Sequence, residues 1–220
     1  MASTARQTLG ANKADLDRLW ELHEQETGKG AGRRFYVEVL NKSVVVLVCA
    51  SWEAFCEDIA REAIQHIVDD CADWSKLPDE LKTLIAQQLR DDKHDHAPWR
   101  LAGDGWKAQL MGNANRFISD TTSRWNTPKS KQVKELFEKT IGISDITADW
   151  NWQNSTVKQS SDKLDEFVAL RGEIAHRLKP VDSVHKKHGT DFFELISRLA
   201  DKVDASVRTL LHTVTGKNYW

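Results

Sequence analysis

The feature that most constrains this chain is the stretch 34–70, which contains neither proline nor glycine. Its apolar residues recur at steps of three and four, and this spacing places them on one face of an α-helix. They include Val37, Val44, Val48, Phe55 and Ile59. Because a helix this long cannot leave such a face in water, the stretch predicts a long helix at the centre of a core.

The same periodicity predicts three further main helices, and β-strand patterns are almost absent. These helices lie near 13–26, 155–178 and 191–214. The last of them is predicted to begin with Asp191 and Glu194 as a capping pair. The sequence therefore predicts an all-α bundle of four main helices, with 72–150 as a helical insertion between the second and third. A chain of 220 residues can bury one sizeable core, so we expect a single domain over 1–220. Residues 1–11 show no periodic pattern and are predicted to be a mobile tail.

Composition narrows the function classes. The formal net charge is -2, so the chain as a whole is not a polyanion-binding surface. The window 171–190 holds five Lys or Arg and two acids, and attraction to nucleic acid would be concentrated there. The longest uncharged apolar run, Val44–Trp52, is too short to span a bilayer, and no signal peptide is evident. The three cysteines do not have the spacing of a metal site, and their odd number suits a reducing compartment. We therefore expect buried thiols and a cytoplasmic protein that does not associate with membranes.

The candidate chemistry lies in the stretch ALRGEIAHRLKP, 169–180. At about 100° per residue, Arg171 falls in the middle of an apolar face that includes Leu164 and Ala175. A guanidinium in this position needs a carboxylate, a phosphate or a cleft. His176 points about 140° away, toward solvent. Because Pro180 ends the helix, His176 occupies the last turn, where the helix dipole favours the protonated imidazole. A permanent cation and a titratable ring therefore stand close together.

Other motifs are weaker. Residues 28–32, GKGAG, resemble a phosphate loop, but no strand precedes them and no Gly-Lys-Ser/Thr follows. His94, Asp95 and His96 supply too few ligands at too irregular a spacing for a metal site, so we expect a polar loop there and no metal or cofactor. The sequence shows no nucleophile elbow or Walker motif.

Two segments together resemble the HEPN superfamily, especially its RiboL-PSP-HEPN-like branch. One is SWEAFCEDIAREAI in the long helix, and the other is LRGEIAHR before the last helix. The resemblance implies an α-helical bundle acting as a metal-independent endoribonuclease through an R-x-x-x-x-H motif, two copies of which meet in a homodimer. It implies Arg171 and His176 as catalytic residues and Glu53 as the acid that orients the arginine, although a solvated acid is the ordinary interpretation of Glu53. It also implies a role in toxin-antitoxin or antiviral defence, with an antitoxin or sensor protein as regulator.

Two positions depart from the family pattern. Gly172 replaces a residue that is usually polar, and Arg177 replaces a glycine that commonly follows the histidine. Both departures favour an alternative, a non-catalytic helical module that binds RNA or a protein. In either case the basic residues near the motif would contact the RNA backbone, although a charge run in a loop is more often simply solvated. These residues are Arg177, Lys179, Lys186 and Lys187. A third hypothesis, a metal phosphohydrolase built on His94 and Asp95, has the least support.

Overall fold

The structure, a computed structural model, describes residues 1–27, 37–92, 94–122, 128–177 and 184–220, without the side chains of residues 27, 121, 122, 176 and 177. These residues form eight α-helices, joined in places by short 3₁₀ turns. The helices are α1 (Thr4–Ala11), α2 (Lys13–Thr27), α3 (Glu38–Asp70), α4 (Asp79–Asp91), α5 (Gly105–Thr122), α6 (Ser130–Ile141), α7 (Val157–Arg177) and α8 (Lys186–Thr215). Within these ranges the only β-type pairing is an isolated bridge between Trp152 and Ser155. The predicted all-α fold is confirmed.

Helix α3 is the centre of the protein. It contacts α1, α2, α5, α6, α7 and α8, and its buried side chains include Val48, Trp52, Phe55 and Ile59. The absence of proline and glycine lets the backbone hydrogen bonds run without a break. Its apolar residues are then covered by neighbours on several sides, so the predicted central helix is confirmed.

The prediction of a mobile tail at 1–11 was wrong. Ala5 and Leu9 on α1 are buried, and α1 packs on both α3 and α8. The Ser3 backbone N–H donates to Asp204 at 3.1 Å, and the Ser3 hydroxyl donates to the same carboxylate. Glu62 accepts from the backbone N–H groups of Thr4 and Ala5. A helix of eight residues is too short to show a clear period, and these distant partners are what hold it in place.

The predicted insertion, 72–150, packs directly on the central helix. Leu110, Ile118, Phe137 and Trp150 belong to the same contiguous hydrophobic core as the residues of α3 and α8. The Trp52 Nε1–H donates to the Pro128 carbonyl at 3.3 Å, which ties the segment before α6 to α3. The insertion therefore helps to bury the central helix.

The last helix begins earlier than predicted. Helix α8 starts at Lys186, whereas the sequence predicted a start near Asp191 with Asp191 and Glu194 as a capping pair. His185 is the N-cap, and its backbone N–H donates to Nδ1 of His188 at 3.0 Å. The predicted capping pair was wrong because the helix begins about one and a half turns before Asp191, where His185 and His188 cap each other's backbone N–H groups.

Helix α3 is also long and apolar enough to cross a membrane when judged by length and composition. The central helix of a globular core passes the same test. Val44–Trp52, the longest uncharged apolar run in the sequence, is only part of this helix. Many of its apolar side chains are buried against other helices of the chain.

Two helical glycines provide a matched test of this packing. A Cβ at Gly189 on α8 would lie 2.5 Å from Cγ1 of Val44 and 3.0 Å from Cζ2 of Trp20, whereas a Cβ at Gly172 on α7 would meet nothing within 4 Å. We expect Gly189→Ala to lower the free energy of unfolding by about 1–3 kcal/mol through overpacking. Gly172→Ala should raise it by up to about 1 kcal/mol through helix propensity. Urea unfolding of both variants measures the difference, and changes of the same sign would contradict the packing of α8 on α2 and α3.

Candidate functional site

Arg171 lies on the side of α7 that faces the core. Leu164 and Val168 on this side are fully buried, Arg171 itself is half-buried, and its Nε atom is buried. The predicted position of the guanidinium within an apolar face is therefore what the structure shows. The same face was predicted to include Ala175, which is exposed. That part of the prediction was wrong because the core-facing burial of α7 decreases in its last two turns.

Arg171 acts electrostatically on one turn of α3 that carries Cys49 and Glu53. Burial raises the pKa of Glu53 and repulsion from Glu57 raises it further, while Arg171 lowers it. Burial raises the pKa of the Cys49 thiol to about 11, again with Arg171 acting in the opposite direction. The structure thus brings Glu53 and Arg171 close enough for their charges to interact. A carboxylate in this position can hold a guanidinium in a fixed orientation for a phosphate.

Cys49 is the residue of this cluster that the sequence did not single out. It lies four residues before Glu53 on α3, which places both side chains on one face of the helix. This spacing was visible in the sequence, but nothing there showed which face of α3 meets α7. Cys49, Cys56 and Cys71 are all buried and free, so the predicted buried thiols are confirmed.

His176 is the penultimate residue of α7, and the side chains of His176 and Arg177 lie outside the described residues. The backbone places His176 in the last described turn, as the sequence predicted. Lys179 also lies outside the described residues. At Gly172, the residue after Arg171, an added Cβ would meet nothing within 4 Å among the described residues. The motif is therefore accessible at that position.

Lys186 and Lys187 belong to the first turn of α8 and not to a loop. The Lys186 Nζ lies 3.1 Å from Oε1 of Glu24 and 5.2 Å from the centre of the Trp20 ring. Lys187 is exposed. Lys186 therefore stabilises the contact of α8 with α2, and Lys187 is the more accessible of the two for a ligand.

Among the residues that the structure describes, no group of three or more His, Cys, Asp or Glu side chains could hold a metal ion. The rings of His94 and His96 lie 5.8 Å apart. No third ligand joins them within the described part of the chain. The hypothesis of a metal phosphohydrolase at this loop gains no support.

The position of Glu53 generates a prediction about stability. Because the folded-state pKa of Glu53 is raised above its ordinary value of 4.5, the stabilising contribution of the protonated form is present below pH 4.5 and is lost as pH rises through the raised pKa. At pH 7 the Glu53 side chain is ionised, and burial and repulsion from Glu57 destabilise this charged form. Glu53→Gln removes the charge and should therefore raise the free energy of unfolding. The gain should fall away below pH 4.5.

The effect of Arg171 can be separated in the same experiment. In an Arg171→Ala background the gain from Glu53→Gln should be larger, because the arginine no longer offsets the penalty. Glu26→Gln, an exposed acid on α2, is the matched control. Chemical unfolding at pH 4 and pH 7 measures all four variants, and an equal gain in both backgrounds would show that the two charges do not interact.

Comparison with known proteins agrees with this architecture. Curated proteins and solved structures gave no match. The family model described as RiboL-PSP-HEPN matches residues 15–208, which include α3, the insertion, α7 and most of α8. HEPN families are associated with nuclease or other RNA-related modules and often with dimers. The matched region includes Glu53, Arg171 and His176, and the chain belongs to the RiboL-PSP-HEPN family, a family of HEPN domains.

Proposed function

We propose that this protein is a metal-independent endoribonuclease whose site is completed by a second copy of the chain. The observation that carries the proposal is the Arg171 guanidinium on the core-facing side of α7, within electrostatic reach of Glu53 on α3. A half-buried cation whose charge interacts with a carboxylate on a neighbouring helix is suited to receive a phosphate. Membership of a HEPN family supports RNA as the source of that phosphate.

The chemistry follows from the residues of the motif. His176 accepts the proton of a ribose 2′-hydroxyl, and the 2′-oxygen attacks the adjacent phosphorus. Arg171 donates hydrogen bonds to the phosphate oxygens as negative charge develops. The 5′-oxygen leaves with a proton from a second acid. The products are a 2′,3′-cyclic phosphate and a 5′-hydroxyl end.

A second copy of the chain supplies the proton-transfer group that one copy lacks. One histidine supplies one proton-transfer group, and the partner's His176 would supply the other. The surface of α3 supports such pairing, because Val39 is 64% exposed and Leu47 is 44% exposed. A groove of about 510 Å³ between α2 and α3, lined by Leu16, Leu19 and Ala50, continues this apolar surface. Exposed apolar surface of this kind is typical of interaction sites.

The surroundings of the site suit a regulated RNA-cleaving enzyme. Arg177, Lys179 and Lys187 would hold the RNA backbone without selecting its sequence, with Lys186 contributing less because of its contact with Glu24. We place this activity in the cytoplasm, in a toxin-antitoxin or antiviral setting. An antitoxin or sensor protein would restrain it there.

The nuclease proposal predicts loss of cleavage in two single variants. His176→Ala should lower the rate of cleavage by about 10²-fold or more through loss of acid-base catalysis. Arg171→Ala should lower it by a similar factor through loss of transition-state charge stabilisation. Gel analysis of tRNA and total RNA with and without EDTA measures both. Arg208→Ala and His212→Ala, two exposed residues of the same types on α8, are the matched controls. EDTA-resistant cleavage that survives in His176→Ala would remove the proposal.

The composite site predicts a second result. Leu47→Asp should place a charge in the apolar surface of α3, convert a dimer to a monomer and reduce cleavage, as measured by light scattering and the same RNA assay. Val157→Asp, a half-buried residue at the start of α7, controls for a new charge elsewhere. Mixing the parent protein with an excess of His176→Ala should lower its activity beyond simple dilution, because a mixed dimer keeps only one of the two histidines that the composite site needs. A fully active monomer would contradict the composite site.

One observation favours a non-catalytic RNA- or protein-binding module. Glu53 lies within electrostatic reach of Arg171, and this is the arrangement expected of a structural charge pair. In that case Arg171→Ala would weaken RNA binding or lower stability, and neither the parent protein nor any variant would yield a cyclic-phosphate product.

A further inference from the structure

The N-terminus of α6 is capped by a side chain from another helix. Within the described residues, the N-cap residue Lys129 makes no side-chain hydrogen bond to the first turn of α6. The carboxylate of Asp165 on α7 accepts instead from the Ser130 backbone N–H at 2.8 Å and from the Ser130 hydroxyl at 3.1 Å. The first N–H groups of a helix have no partner within it, and the helix dipole favours a negative charge there. Asp165 therefore joins α7 to α6 through a charged cap.

The segment before α6 is also attached to α3, next to Glu53. The Trp52 Nε1–H donates to the carbonyl of Pro128, two residues before α6 begins. Trp52 is fully buried, and its ring packs against two other aromatic rings, so close packing leaves it little freedom to move. Residues 128–130 thus contact α3 at the residue before Glu53 and contact α7 at Asp165.

Asp165 lies close to Arg171 along α7. The two residues are six positions apart, which is about 9 Å along the helix axis. Beyond Arg171 the core-facing burial of α7 decreases, and Ala175 is exposed. Because a helix holds its side chains on a rigid element, a contact that fixes α7 at Asp165 also fixes the backbone of Arg171 relative to α3. On α3, Arg171 meets the turn that carries Glu53 and lowers the pKa of that carboxyl.

We propose that Asp165 is a positioning residue that sets Arg171 against Glu53. Its hydrogen bonds to Ser130 fix α7 against the start of α6. The bond from Trp52 to the segment before α6 fixes that segment against the Glu53 turn of α3. The three helices thus form one junction that gives the guanidinium a defined place. The effect of this junction on cleavage rests on the proposed nuclease function, in which a misplacement of about 1 Å can cost about 10²-fold in rate.

Two variants break this link from opposite sides. Asp165→Ala removes the acceptor. Ser130→Pro removes both donors, yet proline is favoured at the first position of a helix, and Lys129 already has the extended backbone that proline requires of the residue before it. Asp165→Asn keeps an oxygen that can accept from the backbone N–H and an amide that can donate to the hydroxyl. We expect the first two variants to behave alike and Asp165→Asn to keep most of the parent's properties.

Asp145→Ala is the matched control for the loss of a cap. The Asp145 carboxylate accepts from the Thr147 backbone N–H at 3.0 Å and from the Thr147 hydroxyl at 2.6 Å. Asp165 makes the same pair of hydrogen bonds to the first residue of α6. Because Asp145 caps the short turn Ile146–Asp149, its loss should lower stability in a similar way without moving Arg171.

The titration of Glu53 reports the position of Arg171 independently of cleavage, and it can be followed by NMR of the side-chain carboxyl carbon. Arg171 lowers the pKa of Glu53. Both link-breaking variants, Asp165→Ala and Ser130→Pro, should therefore raise that pKa toward its value in Arg171→Ala, while Asp145→Ala should leave it unchanged. In the RNA assay both link-breaking variants should lower kcat by about tenfold or more. KM should change little, because the basic residues that hold the RNA backbone remain.

The outcomes separate this role from the nuclease proposal. A higher Glu53 pKa and a lower kcat in both link-breaking variants support the positioning role. If the parent protein cleaves no RNA, the rise in pKa alone supports the position given to Arg171, and only the nuclease proposal fails. A pKa that stays at the parent value in both variants, an equal rise in Asp145→Ala, or a parent-like kcat in both variants of a cleaving protein would each overturn it. If Asp165→Ala does not fold, Ser130→Pro alone decides the test.

Discussion

Burial of the apolar surface of α3 is the constraint on which the rest of this structure depends. The helix contains 33 residues, and at about 25 cal/mol per Å² of apolar surface no arrangement that leaves it in water can be stable. The protein meets this constraint with six neighbouring helices, including one from the N-terminal segment and two from the insertion. The N-terminal helix and the insertion therefore help to bury α3 and do not merely extend a four-helix bundle.

The same constraint explains why a charge cluster at this helix is informative. Glu53 sits on α3 partly removed from water, beside Glu57, and its raised pKa records the resulting penalty. Arg171 reduces that penalty from α7. Proteins retain such destabilising charges mainly at functional sites or in structural ion pairs. The two interpretations of this protein, nuclease and binding module, differ in whether the guanidinium takes part in cleavage of a phosphodiester.

Helix α7 links two regions with different chemistry. Its core-facing side carries Arg171 beside α3, and the side toward α8 and solvent carries Lys163 and Glu166 at a cleft between α7, α8 and the turn at 151–156. Between these regions, the ring of Phe167 stacks on Phe192 at 4.6 Å, which fixes α7 against α8.

The sequence by itself determined the helices whose apolar residues recur at a clear helical spacing, the central place of α3, the buried thiols and the half-buried position of Arg171. Each of these follows from the spacing of side chains within one element. It also pointed to the family through two short segments. Tertiary structure decided that 1–11 folds as α1, since Asp204 and Glu62 lie far away in sequence, and that α8 starts at a histidine cap. It also decided that Cys49 and Glu53 face Arg171, because which sides of two helices meet depends on the packing of every other element.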